Sequence, residues 1–383
     1  MRLVSATTVR AAQRSLTRAP PHHAPPLLHL SLRSRLPIVA GNVVIQSSAY
    51  SLLSLLPGST SQKESRERLP SPPPLPQPQR LQVHDDCVVE YVDLRAREDT
   101  SYTLVLVHGA PGTYHDYRHL IPILQEQSPH VRLLGINLPG FGGSDVAHER
   151  YFDRISALGA SQVTLDALHQ LCGVNERVFL LGHSFGGHTA INLAALNLQA
   201  SDSSPQVRID GMVLLASAGA RPHRVLRPRE RTFTVFRLLQ SRLAPVRYVL
   251  PLALKAFYTT ILRFPSQFPP SHFVAGVVRA ATTDFSTLQT QIAQLRAACV
   301  PTLSAWSVND EFMEDEIPAA LAAALGSSRR VVFEGAGHNL QKTRATQLAQ
   351  EIIQWTDHVS CVNESQCDGT QLIYDDVVLH ELP

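Results

Sequence analysis

The sequence predicts an α/β fold, and three observations carry that reading. Leu104-Val105-Leu106-Val107 is an unbroken apolar run, which suits a strand buried on both faces, and residues 131–136 and 212–216 also read as strands. Residues 114–127 place Tyr117, Leu120, Ile121 and Leu124 on one helical face, and residues 163–172 read as a second helix. Most telling, the strand run Val178-Phe179-Leu180-Leu181 passes through Gly182-His183-Ser184-Phe185-Gly186 into an alanine-rich helical stretch over 189–198. Strand, G-x-S-x-G, helix is the context that a turn carrying a nucleophilic serine requires.

In such a turn the serine backbone sits in a sparsely allowed φ/ψ region, and flanking glycines let strand and helix approach. A serine hydroxyl is a weak nucleophile until a base takes its proton and an acid orients that base. The partners should follow in the order Ser, Asp/Glu, His, each after a late strand. Residues 300–306 read as a buried strand, followed by the turn Ser307-Val308-Asn309-Asp310-Glu311. Arg330-Val331-Val332-Phe333 is the next strand, and Glu334-Gly335-Ala336-Gly337-His338-Asn339 follows it. Ser184, Asp310 and His338 are therefore the candidate nucleophile, acid and base, with Glu311 as the rival acid.

Acyl transfer also needs two preorganised N–H donors for the developing oxyanion. The amide of Phe185, directly after the serine, is one candidate. The second should come from the loop after an early strand, here His108-Gly109-Ala110-Pro111-Gly112. Pro111 has no N–H to offer, which leaves the amide of Ala110, with Gly109 and Gly112 shaping the loop. The His108 ring is expected to brace this loop rather than react.

Taken together, these motifs resemble the α/β-hydrolase superfamily, in the branch with an His-Gly-x-Pro-Gly loop. The resemblance runs over residues 81–358 and includes Leu138-Pro139-Gly140-Phe141-Gly142-Gly143-Ser144. It implies an eight-stranded, mostly parallel sheet with a helical cap inserted after strand six, the cap falling at about 219–297. It names no substrate, because one fold hosts many chemistries. Ser184 stands where epoxide hydrolases and haloalkane dehalogenases of this fold carry Asp, which argues against an alkyl-enzyme ester. His338 is not followed by the His-x4-Asp pattern of some acyltransferase relatives, and Ala110 replaces the second glycine of proline iminopeptidases.

Net charge is +2 and 44% of residues are hydrophobic, as in an enzyme able to bury a large core, but the charge is unevenly spread. Before Glu64 there is no acid, against six arginines and Lys63, which leaves 27 of the 34 basic side chains facing all 32 acids in the remainder. Residues 1–36 therefore read as a mitochondrial presequence, the alternatives being an endomembrane or cytoplasmic location. Residues 36–56 carry no charge and are long enough for a membrane anchor. The proline-rich run within 58–80 reads as an extended linker, and residues 359–383 as an acidic tail.

The cap region from Arg221 to Arg279 holds ten arginines and Lys255 against one acid, Glu230, beside an apolar stretch over 246–264. That combination suits a lid over the site or contact with an anionic membrane surface. No Gly-x-Gly-x-x-Gly or P-loop signature supports a nucleotide site, and neither a cofactor nor a nucleic-acid partner is expected. The five cysteines lack metal spacing: Cys87, Cys172 and Cys299 read as buried thiols, while Cys361 and Cys367 could close a small disulfide loop. The functional expectation is a serine hydrolase that cleaves a carboxylic ester, lipid or hydrophobic, through an acyl-enzyme. The alternatives are a peptidase or C–C hydrolase of the same fold, or a catalytically silent relative that binds a ligand or partner.

Overall fold

The computed structural model describes residues 71–96, 99–174, 176–200, 206–365 and 376–380, with backbone alone for 362–365 and 376–380. The expected presequence and the uncharged run at 36–56 lie outside these residues. Among the described residues no helix is long and apolar enough to cross a membrane.

At one edge of the sheet, β1 (Gln79–His84) and β2 (Cys87–Leu94) pair antiparallel. Strand β4 (Val131–Ile136) runs antiparallel to β2 and parallel to β3 (Tyr102–Val107). Beyond β3 come β6 (Arg177–His183), β7 (Arg208–Leu215), β8 (Thr302–Ser307), β9 (Arg329–Phe333) and β10 (Asp376–His380), all parallel. The order is β1-β2-β4-β3-β6-β7-β8-β9-β10, with the two-residue β5 (Asp145–Val146) pairing with β2. Ten strands thus replace the eight expected. The edge strand β10 comes from the segment read as a tail.

Period-two alternation splits each central strand between two cores. Val105, Val107 and Leu180 point to one side, against α3 (Ala157–Leu171) and α4 (Phe185–Gln199). Leu104, Leu106, Phe179 and Leu181 point to the other, against α1 (Leu120–Gln127) and α11 (Ala345–Ser365). The chain leaves β3 for β4 on one side and returns to β6 on the other. A crevice opens where a parallel sheet reverses in this way, and the loops after β3 and β6 are those that carry His108 and Ser184.

Several boundaries differ from the sequence reading. The helix expected over 114–127 is broken into a 3-10 turn, Tyr114–Tyr117, and α1. Pro122 has no N–H to give a preceding turn and is tolerated only in a first turn, so α1 starts at Leu120. Helix α3 begins six residues earlier than expected because Ser156 caps it, accepting the Gly159 N–H at 3.1 Å. Helix α11 runs to Ser365, past the expected end of the domain at 358. The proline-rich run is not a bare linker: Leu75 packs on the second core. Cys87 and Cys172 are buried but Cys299 is exposed, and Cys367 lies outside the described residues.

Between β7 and β8 lie a 3-10 turn, Arg224–Leu226, and four helices. These are α5 (Arg229–Leu239), α6 (Ala244–Thr260), α7 (Pro270–Thr282) and α8 (Phe285–Ala297). Helix α8 packs on α4 and on α9 (Glu316–Leu325), so it belongs to the layer that flanks the sheet, and the inserted part ends near α7. The arginine cluster at 221–231 is largely engaged internally. Arg224 and Arg227 pair with Glu314, and Arg229 lies over Phe285 at 4.8 Å and donates to the Thr283 carbonyl.

One buried ion cluster fastens the switch-point strands. Arg132 on β4 forks onto both carboxylate oxygens of Asp93 on β2 at 3.0 and 2.9 Å, and reaches Glu176, just before β6, at 2.8 Å. Bidentate charge-assisted pairs of this kind are the strong ones, and both Arg132 and Asp93 are nearly inaccessible. Arg132→Met leaves the buried Asp93 carboxylate with only the exposed Arg95, at 3.0 Å, as a charge partner, and should lower unfolding free energy by about 3 kcal/mol in a urea titration. A loss below about 1 kcal/mol, the range of an exposed pair, would contradict this assignment.

Candidate active site

Ser184 sits between β6 and α4 with φ 54° and ψ −122°, in the left-handed half of backbone space that side chains rarely adopt. Its N–H donates to the Leu215 carbonyl at 2.9 Å, and its own carbonyl accepts from Gly187 and Ala218. The two motif glycines are required by contact. A Cβ on Gly182 would strike the Gly186 carbonyl, and one on Gly186 would strike the carbonyl oxygens of Val107 and His108 at the end of β3. The close crossing of α4 over β3 therefore leaves no room for a side chain at Gly186.

Asp310 and His338 come together across the ends of β8 and β9. The His338 Nδ1–H donates to Asp310 Oδ2 at 2.7 Å, which leaves Nε2 as the proton-accepting nitrogen. Burial works against the Asp310 charge, but the His338 hydrogen bond and the amides of Met313 and Phe312, at 2.9 and 2.8 Å, outweigh it and hold the carboxyl below its ordinary range. Glu311, the rival acid, does not reach the ring: its Oε2 accepts the His338 backbone N–H at 3.1 Å. Asn309 Oδ1 takes the Gly337 N–H at 2.9 Å, and Ser307 Oγ the Ala336 N–H at 3.0 Å. The acid turn thus holds the base loop along its backbone.

The x of the elbow motif adds a contact that the sequence reading missed. His183 Nε2–H donates to the His338 carbonyl at 2.9 Å, tying β6 to the base loop. Burial, reinforced by the neighbouring His338, pushes His183 down to about 3. It is therefore a neutral hydrogen-bonding strut. Phe312 meets the His338 ring edge-on at 5.0 Å.

His108 is hydrogen-bonded at both ring nitrogens. Its Nδ1 donates to the Gly109 carbonyl at 2.6 Å and its Nε2 accepts the Leu138 N–H at 3.0 Å. Burial drives its pKa well below the ordinary value, so the neutral tautomer with one donor and one acceptor matches both partners. Gly109 lies against the elbow, where a Cβ would come 3.2 Å from the Ser184 Cβ. A Cβ on Gly112 would strike the Asp116 carboxylate. Helix α7 backs both candidate oxyanion donors. A Cβ on Gly276 would lie 3.6 Å from Pro111 N, beside Ala110, and Arg279 donates to Thr189 Oγ1, which in turn donates to the Phe185 carbonyl at 3.3 Å.

Ser184, Phe185, Ala110 and His338 open onto one cavity of about 1260 Å³, walled by Tyr258, Phe264 and Phe312 and, from the proline-rich run, by residues 75–78. Ligand pockets commonly hold roughly 300–1,000 Å³, so this one is large for a small-molecule site. Two titratable residues that the sequence reading passed over line it as well. The buried His223 is pushed down to about 4 by burial, and neither ring nitrogen finds a partner among the described residues. Asp116 is pushed up to about 7, again by burial. Neither has a local motif: each matters only because of what folds over it. Among the described residues no group of three His, Cys, Asp or Glu side chains could hold a metal ion.

A model of the alpha/beta hydrolase fold family matches residues 102–345. The chain is 29% identical over 180 residues to an uncharacterized protein of Caenorhabditis elegans, spanning 45% of this chain and 46% of that one, less than half of the relative's length. It is 25% identical over 287 residues to 2-hydroxy-6-oxononadienedioate/2-hydroxy-6-oxononatrienedioate hydrolase 2 of Pseudomonas putida, covering 71% and 93% of the two chains. A malate-bound esterase from Thermogutta terrifontis superposes with a TM-score of 0.53 at 20% identity, over 74% of this chain and 100% of that one. At that identity the likeness shows the fold alone.

Asp116 makes a pH prediction. Because its folded pKa is raised to about 7, the unfolded chain ionises first as pH climbs from about 4, and the folded state loses relative stability until about pH 7. The melting temperature of Asp116→Asn should therefore rise relative to that of the wild type between pH 4.5 and 7.5. A constant difference across this range would refute the assignment.

Proposed function

The chain belongs to the alpha/beta hydrolase fold family, and on that premise we propose that it is a serine hydrolase that cleaves a carboxylic ester through an acyl-enzyme. The observation that carries the reading is the 2.7 Å hydrogen bond from His338 to Asp310 beside the cavity that Ser184 enters. His338 Nε2 takes the Ser184 proton as Oγ attacks the carbonyl carbon. The oxyanion that forms accepts hydrogen bonds from the Ala110 and Phe185 amides, of which each such donor is worth about 10²–10³ in turnover. Collapse expels the alkoxide, which takes the proton back from His338. A water deprotonated by the same nitrogen then releases the acid and restores Ser184. Asp310 stays ionised throughout and holds the imidazole in its working tautomer.

A lipid or other hydrophobic ester is the proposed substrate class, supported by the cavity's size and its aromatic wall. A second reading is hydrolysis of a carbon–carbon bond. It is favoured by the Pseudomonas putida relative, a dienedioate and trienedioate hydrolase by name, 93% of whose length is matched. A silent binding protein is the rival from another class, and it has no need of an ordered acid–base pair. Reaction with a fluorophosphonate probe separates enzyme from binder, and a panel of lipid esters set beside a vinylogous diketone acid separates the two chemistries.

Ser184→Ala should abolish probe labelling and lower turnover by at least about 10³-fold with the fold intact, and His338→Ala should do comparable damage. Undiminished turnover in purified Ser184→Ala would sink the mechanism. The mitochondrial address is proposed for residues 1–36 on their acid-free arginine pattern. Residues 1–80 fused to a fluorescent reporter should enter mitochondria, and diffuse or reticular fluorescence would refute that address.

A further inference from the structure

We propose that the outer face of α6 is a docking surface for an anionic lipid bilayer, placing the cavity beside the membrane. Helix α6 is apolar along most of its length, yet none of its residues is buried. Its inner positions, Leu250, Leu254 and Tyr258, pack against the core. Tyr248, Val249 and Leu252 share the opposite face and are 77%, 63% and 59% exposed. A helix apolar on both faces is ordinarily covered on both, and contiguous exposed apolar surface marks an interaction site. The lid role accounts for the inner face and leaves the outer one without a purpose.

Charge selects the occupant. Residues 231–283 contain no Asp or Glu, while Arg231 and Arg237 on the neighbouring α5, Arg242 just before α6 and Arg263 just after it are exposed. A second copy of the chain would bring this basic rim against another. The N-terminal segment, acid-free before Glu64 and bearing six arginines, has the same sign. An anionic bilayer instead satisfies both features, taking the apolar side chains into the acyl boundary and the guanidinium groups among the headgroups. The surface is continuous with the site, because Tyr258, Leu262 and Phe264 line the catalytic cavity from the same helix and the turn after it. A lipid drawn from the bilayer would enter without crossing bulk water.

The test uses the full chain and vesicles of phosphatidylcholine with or without phosphatidylserine. The two native tryptophans, Trp306 and Trp355, are buried, so Leu252→Trp adds a local reporter. Its fluorescence should be quenched by brominated acyl chains in phosphatidylserine vesicles, and absence of quenching overturns the proposal. The triple variant Arg231→Gln, Arg237→Gln, Arg242→Gln should bind these vesicles at least tenfold more weakly, and wild-type binding should fall as salt shortens the screening length. Unchanged binding in the triple variant overturns the proposal. A concentration-dependent dimer abolished by Leu252→Ser, without quenching in vesicles, assigns the face to a second copy instead. Ser184→Ala should bind vesicles as the wild type does, so the result stands apart from the hydrolytic reading.

Discussion

The close crossing of α4 over the end of β3 is the constraint on which the site depends. It excludes a side chain at Gly186, while the tight turn from β6 into α4, in which Ser184 has φ 54°, excludes one at Gly182. Backbone strain of this kind costs of order 1–3 kcal/mol and persists only where its surroundings over-determine it. The surroundings here are the Leu215 carbonyl, which holds the Ser184 amide from β7, and the Gly187 and Ala218 amides on its carbonyl. Because three adjacent parallel strands take part, the serine is held by the sheet itself, and a loop alone could not do this.

Around that fixed point, buried histidines serve as neutral connectors. Burial holds His108, His183 and His188 below their ordinary range, and each ties one backbone segment to another. His108 links the candidate oxyanion loop to the turn after β4, His183 links the elbow strand to the base loop, and His188 reaches the Gly219 carbonyl at the start of the insertion. A neutral imidazole can do this because one ring nitrogen carries an N–H to donate, and in His108 the other nitrogen accepts as well. Their neutrality also keeps added positive charge away from the His338–Asp310 pair.

The insertion divides its labour by helix. Helix α7 is almost wholly buried and stands against both the Ala110–Pro111 segment and the first turn of α4. Its Arg279 is a buried cation whose only hydrogen-bond partner among the described residues is Thr189, and burial lowers it to about 10. Helix α6, one step outward, has an apolar face left exposed among the described residues. The cavity is lined by residues of the buried α7 and of the partly exposed α6.

The elbow, the acid turn and the base loop could be read from the chain because each is a local pattern: a buried strand, then a glycine-bearing turn, then a polar residue at its tip. Periodicity likewise located the central strands, whose apolar runs need no partner to be recognised. The sequence favoured Asp310 and kept Glu311 as the rival acid, since adjacent carboxylates differ only in which way the turn points them. Only the tertiary structure gives Glu311 a backbone amide and Asp310 the imidazole. The same holds for β10, for Leu75 on the core, for Asp116 and His223 in the cavity, and for the arginines at 221–231 that Glu314 and Phe285 engage. Each depends on a neighbour tens or hundreds of residues away, and composition cannot say which face of an apolar helix will find one.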